Sequence, residues 1–280
     1  NVAKTLLLLV WAVFFQFQNL AQTSVGNIKV SVFTKTDYAA GNQNWDIERD
    51  NLGRVFIANN EGLLVYNGIN WQLYPVPNKT ILRSIAFGPD KKLYAGAQNE
   101  FGYYAADLNG KLVYTSLKSR LPKSVNSFAD IWNIEVLENA VFFMASDIII
   151  KYTGKHITVY KSNASWSSLK RHNNKLIAHN LKAGLLVLDN GKWQTLIPQG
   201  NLPPGFQINN CIPIGKDSSL ISTSGQGLFV LANKRLQPFI LKNVSNEQHF
   251  TCLAILDKDK FLVGSYNSGL YKINKNGVVI

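Results

Sequence analysis

Tryptophan beside polar side chains is the chemical pattern that stands out in this sequence. The segments Trp45-Asp-Ile-Glu48 and Trp132-Asn-Ile-Glu135 are close copies of each other. An indole offers a flat apolar face, while nearby amides and hydroxyls donate and accept hydrogen bonds without demanding a charged partner. Binding sites for sugars and peptides combine such aromatic faces with neutral hydrogen-bonding groups. The sequence therefore predicts a binding site for an oligosaccharide or a peptide.

Ten residues are expected to line that site, all of them aromatic, amide or ionisable and all at recurring points of an internal repeat. They are Trp45, Arg83, Asn99, Glu100, Trp132, Trp166, His179, Asn180, Tyr266 and Asn267. Two other roles are open for these residue types. Tryptophans at a repeated position also wedge between packed sheets, and polar residues in short loops also form turns.

Catalytic motifs are absent from the sequence, so we expect no enzyme and no cofactor. Nucleophilic catalysis needs an activated Ser or Cys beside a base, and no Gly-x-Ser-x-Gly segment is present. The four histidines, at positions 156, 172, 179 and 249, lack the spacing of metal ligands. Paired catalytic carboxylates need no local motif, so a lyase or hydrolase remains the alternative.

A repeat of about 41 residues organises the chain. It is marked by glycines at positions 62, 102, 184, 227 and 269, most of them followed by leucine and alternating apolar residues. The spacing between 102 and 184 is twice the others, and a copy without glycine, Ala145 to Tyr152, lies between them. Six repeats therefore run from about residue 42 to the end of the sequence.

Each repeat has the pattern of four short strands. In the first, strands are expected at 45–49, 54–58, 62–66 and 71–74, with a tight turn at Asn67-Gly68. Four strands in about 40 residues is the pattern of a propeller blade. The prediction is an all-β propeller over residues 23–280. The sequence ends inside the last strand of the sixth repeat, which leaves an incomplete seven-bladed ring open.

In its repeated Gly-Leu segments, the chain resembles the two-component regulator propeller family. Gly184-Leu-Leu-Val, Gly227-Leu-Phe-Val and Gly269-Leu-Tyr-Lys fit the family's pattern, whereas the third repeat has lost its Gly-Leu. The segment from Leu64 to Pro77 is similar to the opening blades of triple-tyrosine-motif regulators. The resemblance implies the periplasmic sensor region of a bacterial signalling protein. A kinase or helix-turn-helix output, and contact with a membrane, are expected only in segments downstream.

The N-terminus and the net charge bear on location and partners. Lys4, the apolar run Leu6 to Phe15 and Ala21 describe a signal peptide over residues 1–22, so the protein is expected to be periplasmic or secreted. The net charge is +12, but the basic residues are scattered, and no nucleic-acid partner is expected. The sequence is compatible with a homodimer, and also with a free-standing propeller that docks a protein.

Cys211 and Cys252, 41 residues apart, are expected to be unpaired thiols at equivalent strand positions.

Overall fold

Six antiparallel sheets form the blades of a β-propeller, which confirms the predicted fold. The structure is a computed structural model that describes residues 31–125, 127–244 and 249–280. The predicted signal peptide, residues 1–22, lies outside the described residues. Helical structure in the described part is limited to α1, Lys35–Tyr38, and two 3-10 turns, Lys118–Arg120 and Gln199–Asn201.

Successive strands of each blade pair as neighbours, from the innermost strand to the outermost. The innermost strands are β1 Asn44–Arg49, β5 Leu82–Phe87, β9 Asn133–Leu137, β13 Trp166–His172, β17 Ile208–Gly215 and β21 Phe250–Asp257. The second strands are β2 Val55–Asn59, β6 Leu93–Ala97, β10 Ala140–Met144, β14 Lys175–Asn180, β18 Ser218–Thr223 and β22 Lys260–Ser265. The third strands are β3 Gly62–Tyr66, β7 Glu100–Ala106, β11 Ile148–Tyr152, β15 Gly184–Asp189, β19 Leu228–Ala232 and β23 Gly269–Asn274. The outermost strands are β4 Trp71–Tyr74, β8 Leu112–Ser116, β12 Ile157–Lys161, β16 Lys192–Pro198 and β20 Arg235–Phe239.

The sixth blade differs from the others in its outer edge. Its sheet has three full strands, and a single bridge joins Val279 to Ile273. The N–H of Ile280 donates to the carbonyl of Lys272 at 2.9 Å, so residues 278–280 begin a fourth strand against β23.

The middle strands of the second to fifth blades are mostly buried because neighbouring blades cover both of their faces. All five residues of β10, Ala140–Met144, are buried, and so are all five of β6, Leu93–Ala97. A strand covered on both faces has a continuous apolar run instead of an alternating one. The outer strands, by contrast, mix half-buried and exposed residues, as in β8, Leu112–Ser116. The apolar runs in the sequence therefore mark the middle of each blade.

The repeated glycine starts the third strand at a point where two segments of backbone meet. Gly62 has φ of 130°, and Gly184 has φ of 96°, both in the region that disfavours side chains. A Cβ on Gly62 would lie 2.6 Å from the carbonyl oxygen of Tyr74, and one on Gly184 would collide with the carbonyl of Ile197. At Gly62 and Gly184, only glycine allows the outermost strand to approach this closely.

The ring has a seam between its sixth and first blades. Successive innermost strands pack beside each other from β1 through to β21, and the described residues show no equally extensive packing of β21 on β1. The side chains at the seam are correspondingly open: Leu270 is 64% exposed and Ile47 is 66% exposed. In the fifth blade, Leu228 follows the same repeated glycine as Leu270 and is only 3% exposed, because the sixth blade covers it.

Both cysteines are free thiols, as expected, but their predicted equivalence is wrong. In the register of the sheets, Cys252 pairs with Gly264, and its counterpart in the fifth blade is Asn210, which pairs with Ser222. Cys211 lies one residue further along, so the two side chains occupy opposite faces of their blades. Cys211 packs in the core against the fourth blade, whereas Cys252 is exposed.

Candidate functional site

A β-bulge recurs at the start of the innermost strand. The pairing of β1 with β2 skips Trp45, and the pairing of β5 with β6 skips Arg83. The same irregularity skips one residue in each of β13, β17 and β21, namely Ser167, Asn209 and Thr251. In the third blade, Trp132 holds this place directly before β9. A bulge leaves one residue out of the ladder and re-aims its side chain, so each blade contributes one residue at this level.

Five of the six residues at this level border a central cavity of about 950 Å³, and Ser167 does not. All six innermost strands contribute to its lining, and Trp45, Arg83, Trp132, Asn209 and Thr251 are among the lining residues. A second cavity, of about 590 Å³, adjoins the first, because Trp132 lines both. Its other polar lining residues come from loops on the same face of the propeller: Asn78, Thr80, Gln98, Asn99, Ser127 and Asp130. Trp132 therefore separates the central cavity, which we call the channel, from the second cavity, a largely neutral polar recess.

Trp45, Arg83 and Trp132 come from three different blades and form one cluster, which we call the mouth of the central cavity. The two indoles meet edge to face, with ring centres 5.9 Å apart. The guanidinium carbon of Arg83 lies 4.0 Å from the ring centre of Trp45 and 4.6 Å from that of Trp132. Cation–π attraction holds the cation against both rings at such distances. Trp45 remains 38% exposed and Trp132 44% exposed, so each ring keeps area for a ligand.

Two polar contacts fix this cluster in place. The Nε1–H of Trp45 donates to Oδ1 of Asn60 at 2.7 Å. Arg83 donates from Nε to Oδ2 of Asp130 at 2.8 Å, and both of these side chains are largely buried. A site held by such contacts has a defined geometry before a ligand arrives, which lowers the entropy lost on binding.

Trp166 does not belong to the mouth, contrary to the sequence prediction. It pairs with Asn180 in the sheet, and the bulge falls on Ser167, one residue later. Because side chains alternate along a strand, this difference of one residue turns the indole into the core. There Trp166 is 4% exposed and packs 5.4 Å from the ring of Trp193. Packing between blades is the role of Trp166 in the structure.

Below the mouth, the channel wall carries ionisable side chains. Burial, partly offset by hydrogen bonds from the N–H groups of Ile85 and Ile47, raises the pKa of Asp46. Burial and the charge of neighbouring Asp46 raise the pKa of Glu48 to about 7. In the third blade, burial raises the pKa of Glu135, and the positive charges of Lys170 and Arg171 partly offset this rise. Glu48 therefore titrates near neutral pH, so the charge of the channel depends on pH.

Asn99 and Glu100 follow the second strand of the second blade, and they have different surroundings. Asn99 has φ of 51°, lines the polar recess and accepts a hydrogen bond from the N–H of Phe128 at 3.3 Å. Glu100 is buried, and its Oε1 accepts hydrogen bonds from the hydroxyls of Tyr114 and Ser116 at 3.1 and 2.8 Å. Asn99 lines the polar recess, whereas Glu100 holds the outer strands of its blade together.

His179 and Asn180, which end the second strand of the fourth blade, are both buried. The Nδ1 of His179 lies 2.7 Å from the Ser167 hydroxyl, and its Nε2 lies 3.0 Å from Oε1 of Gln199. Burial lowers the pKa of His179, which favours the neutral ring. The amide of Asn180 donates to the Ala164 carbonyl at 3.0 Å and accepts from the N–H of Ala183 at 3.0 Å. Both side chains are buried and hold neighbouring loop residues through these hydrogen bonds.

Tyr266 and Asn267 are exposed in the corresponding loop of the sixth blade, and Tyr266 is 78% exposed. Neither residue is part of the lining of the two cavities. Of the ten predicted site residues, the structure therefore brings Trp45, Arg83, Trp132 and Asn99 to the cavities. Asp130 lines the polar recess and pairs with Arg83, and no pattern in the sequence predicted it.

The described residues hold no group of three or more His, Cys, Asp or Glu side chains that could bind a metal ion. Within the same ranges, no helix is long and apolar enough to cross a membrane.

Comparison with solved structures shows the β-propeller fold. The chain is similar to the extracellular domain of BT4673 from B. thetaiotaomicron, described as a one-component or hybrid two-component system, with a TM-score of 0.65 and 18% identity in the former. That alignment covers 90% of this chain and 34% of BT4673, so the chain spans about a third of that domain. It is also similar to virginiamycin B lyase from Staphylococcus aureus, solved with quinupristin, with a TM-score of 0.67, 15% identity and coverage of 88% and 85%.

A third similar structure is YCF48 bound to D1 peptide, with a TM-score of 0.62, 12% identity and coverage of 87% of this chain and 81% of that one. No family profile matches the chain, and no curated protein matches it. The similar propellers differ in what they do, so the fold leaves function to be argued from the site.

Proposed function

We propose that this chain is the ligand-sensing propeller of an exported bacterial signalling protein, and that its ligand binds at the mouth of the central cavity. The observation that carries the proposal is the cluster of Trp45, Arg83 and Trp132, which three blades assemble beside a cavity large enough for a small ligand. Two half-exposed indoles with amides nearby suit a short oligosaccharide or a peptide. The likeness to an extracellular domain of a signalling system supports the sensor role.

A thermal-shift screen of residues 23–280 against short oligosaccharides and peptides tests this function. A ligand that binds only the folded state raises the unfolding temperature, and above its dissociation constant the stabilisation grows with the logarithm of the ligand concentration. We expect concentration-dependent stabilisation by at least one compound, with the apparent affinity reduced roughly tenfold or more by Trp132→Ala, because the truncated ring loses most of its contact area.

The matched control for this experiment is Tyr266→Ala, which removes an exposed aromatic ring away from both cavities. Binding that survives Trp132→Ala but not Tyr266→Ala would place the ligand elsewhere and contradict the proposal. Chemical conversion of a bound compound, followed by mass spectrometry, would instead favour a lyase. Complete absence of stabilisation would favour a propeller that docks a protein.

Export is the second part of the proposal and has its own test. A fusion of residues 1–22 to alkaline phosphatase, which is active only in an oxidising compartment, is expected to be active in a bacterial host. Replacing the apolar run with charged residues is expected to abolish that activity. An equally active fusion without the apolar run would contradict export.

A further inference from the structure

Arg83 is a largely buried cation whose donors are only partly used. A guanidinium carries five N–H groups in a planar fork and accepts no hydrogen bond. In this structure Nε of Arg83 donates to Oδ2 of Asp130, and the Arg83 side chain is 13% exposed. The described residues accept no hydrogen bond from the four N–H groups on its two Nη atoms. These donors lie beside a cavity that Arg83 itself lines.

The surroundings fix how this unused edge is presented. The rings of Trp45 and Trp132 lie against the guanidinium at 4.0 and 4.6 Å, and Asp130 anchors its Nε side. A guanidinium held in one orientation pairs with a carboxylate through two parallel hydrogen bonds, which a mobile lysine ammonium cannot reproduce. The Nη edge of Arg83 is therefore held in an orientation that suits a planar anionic group.

Charge in the channel lining is balanced, and the carboxylate of Asp130 in the adjoining recess pairs with Nε of Arg83 and not with its Nη edge. The lining contains three cations, Arg83, Lys170 and Arg171, and three carboxylates, Asp46, Glu48 and Glu135. Both oxygens of Asp46 already accept hydrogen bonds from backbone N–H groups, and Glu48 is only partly ionised near neutral pH. The chain as a whole has a net charge of +12, which attracts anions to its surface.

We propose that the ligand carries a carboxylate and that the Nη edge of Arg83 binds it, so that Arg83 sets the specificity of the mouth. This inference rests on the proposed function, since it requires a ligand at the mouth. The same chemistry is offered by the uronic acids of an acidic oligosaccharide and by the free C-terminus of a peptide. Trp45 and Trp132 then contact the apolar face of the group that bears the carboxylate.

The test uses pairs of probes that differ only in the carboxylate. One pair is linear tetragalacturonic acid and its methyl ester, and the other is a tetrapeptide with a free C-terminus and its C-terminal amide. We expect the acid of one pair to bind roughly ten- to a hundredfold more tightly than its neutral partner, as for a hydrogen bond to a charged group. The pair that shows this difference identifies the source of the carboxylate.

Arg83→Gln is expected to abolish the difference between acid and neutral partner, and Arg83→Lys to reduce it, because lysine keeps the charge but loses the fork. Asp130→Asn, which keeps the arginine, is expected to retain it. Folding of each variant is checked by its circular dichroism spectrum. A preference for the acid that survives Arg83→Gln, or equal binding of both partners, would overturn the inference.

Failure of the inference can be told from failure of the proposed function. A neutral oligosaccharide that binds in a Trp132-dependent way while neither acid binds would refute the role of Arg83 and leave the ligand mouth intact. Absence of binding by all the probes and by the whole screening panel would refute both.

Discussion

Glu48 is the residue whose ionisation is expected to affect stability most clearly near neutral pH. Burial and the neighbouring charge of Asp46 raise its pKa from 4.5 in the unfolded chain to about 7 in the folded protein. Between these two values the folded state binds more protons than the unfolded state, so stability falls as pH rises through this window. The stabilisation that protonated Glu48 contributes is fully present below the pKa of the unfolded chain and is lost above the pKa of the folded protein.

Glu48→Gln is therefore expected to stabilise the protein at about pH 8 and to change little at about pH 4. Because the side chain is half-buried and partly screened by solvent, we expect a gain of about 1–2 kcal/mol at the higher pH. Urea unfolding of both proteins at the two pH values measures it. Glu61→Gln, in an exposed loop, is the matched control. A gain that is the same at both pH values would show that titration of Glu48 is not its cause.

At the scale of single residues, the sequence placed tryptophans at the start of the innermost strand correctly only where local register was unambiguous. Trp45 and Trp132 begin near-identical segments, and both are at the mouth. Trp166 has no such copy around it. The predicted alignment was one residue out of register, so it assigned Trp166 to the position that Ser167 occupies. A bulge has no strong sequence signal of its own. Its position follows from pairing with the next strand, which a single sequence does not reveal.

At the scale of elements, the strands of the first blade were predicted to within one residue. Expected bounds of 45–49 and 54–58 compare with Asn44–Arg49 and Val55–Asn59 in the structure, and the third and fourth strands coincide. This accuracy comes from glycines, Asn-Gly turns and apolar runs, which are local signals. Long-range contacts between blades, such as the ion pair of Arg83 with Asp130, left no comparable signal.

Loops between strands depend on buried amides, and Asn180 is the clearest example. Its side chain contacts Ser162, Ala164, Lys182 and Ala183 through four hydrogen bonds of 2.7–3.1 Å. Asn180→Ala is expected to lower the free energy of unfolding by about 1–3 kcal/mol, because buried backbone groups lose their partners. Denaturant unfolding measures this loss.

Asn267→Ala is the control for Asn180, since this asparagine occupies the matching loop of the sixth blade and is exposed. It is expected to change stability by no more than about 0.5 kcal/mol. Equal losses in the two variants would show that burial does not distinguish these loops, and the structural role assigned to Asn180 would then be wrong.

At the scale of the whole molecule, the seam between the sixth and first blades makes equivalent leucines unequal. Leu228 and Leu270 follow the same repeated glycine, but Leu228 is 3% exposed and Leu270 is 64% exposed. Deleting a buried leucine side chain removes its transfer free energy and leaves a cavity, so Leu228→Ala is expected to cost about 2–5 kcal/mol. Leu270→Ala has little burial to lose and is expected to cost less than about 1 kcal/mol.

Urea unfolding of the two variants compares these losses within one protein, since both carry the same substitution at the same place of the repeat. A cost for Leu270→Ala as large as that for Leu228→Ala would mean that the seam is covered in solution. Repeating the measurement across protein concentrations then separates two ways of covering it. A cost that grows with concentration would identify a second copy of the chain at the seam, because association stabilises by mass action, and a constant cost would identify a segment of the same molecule.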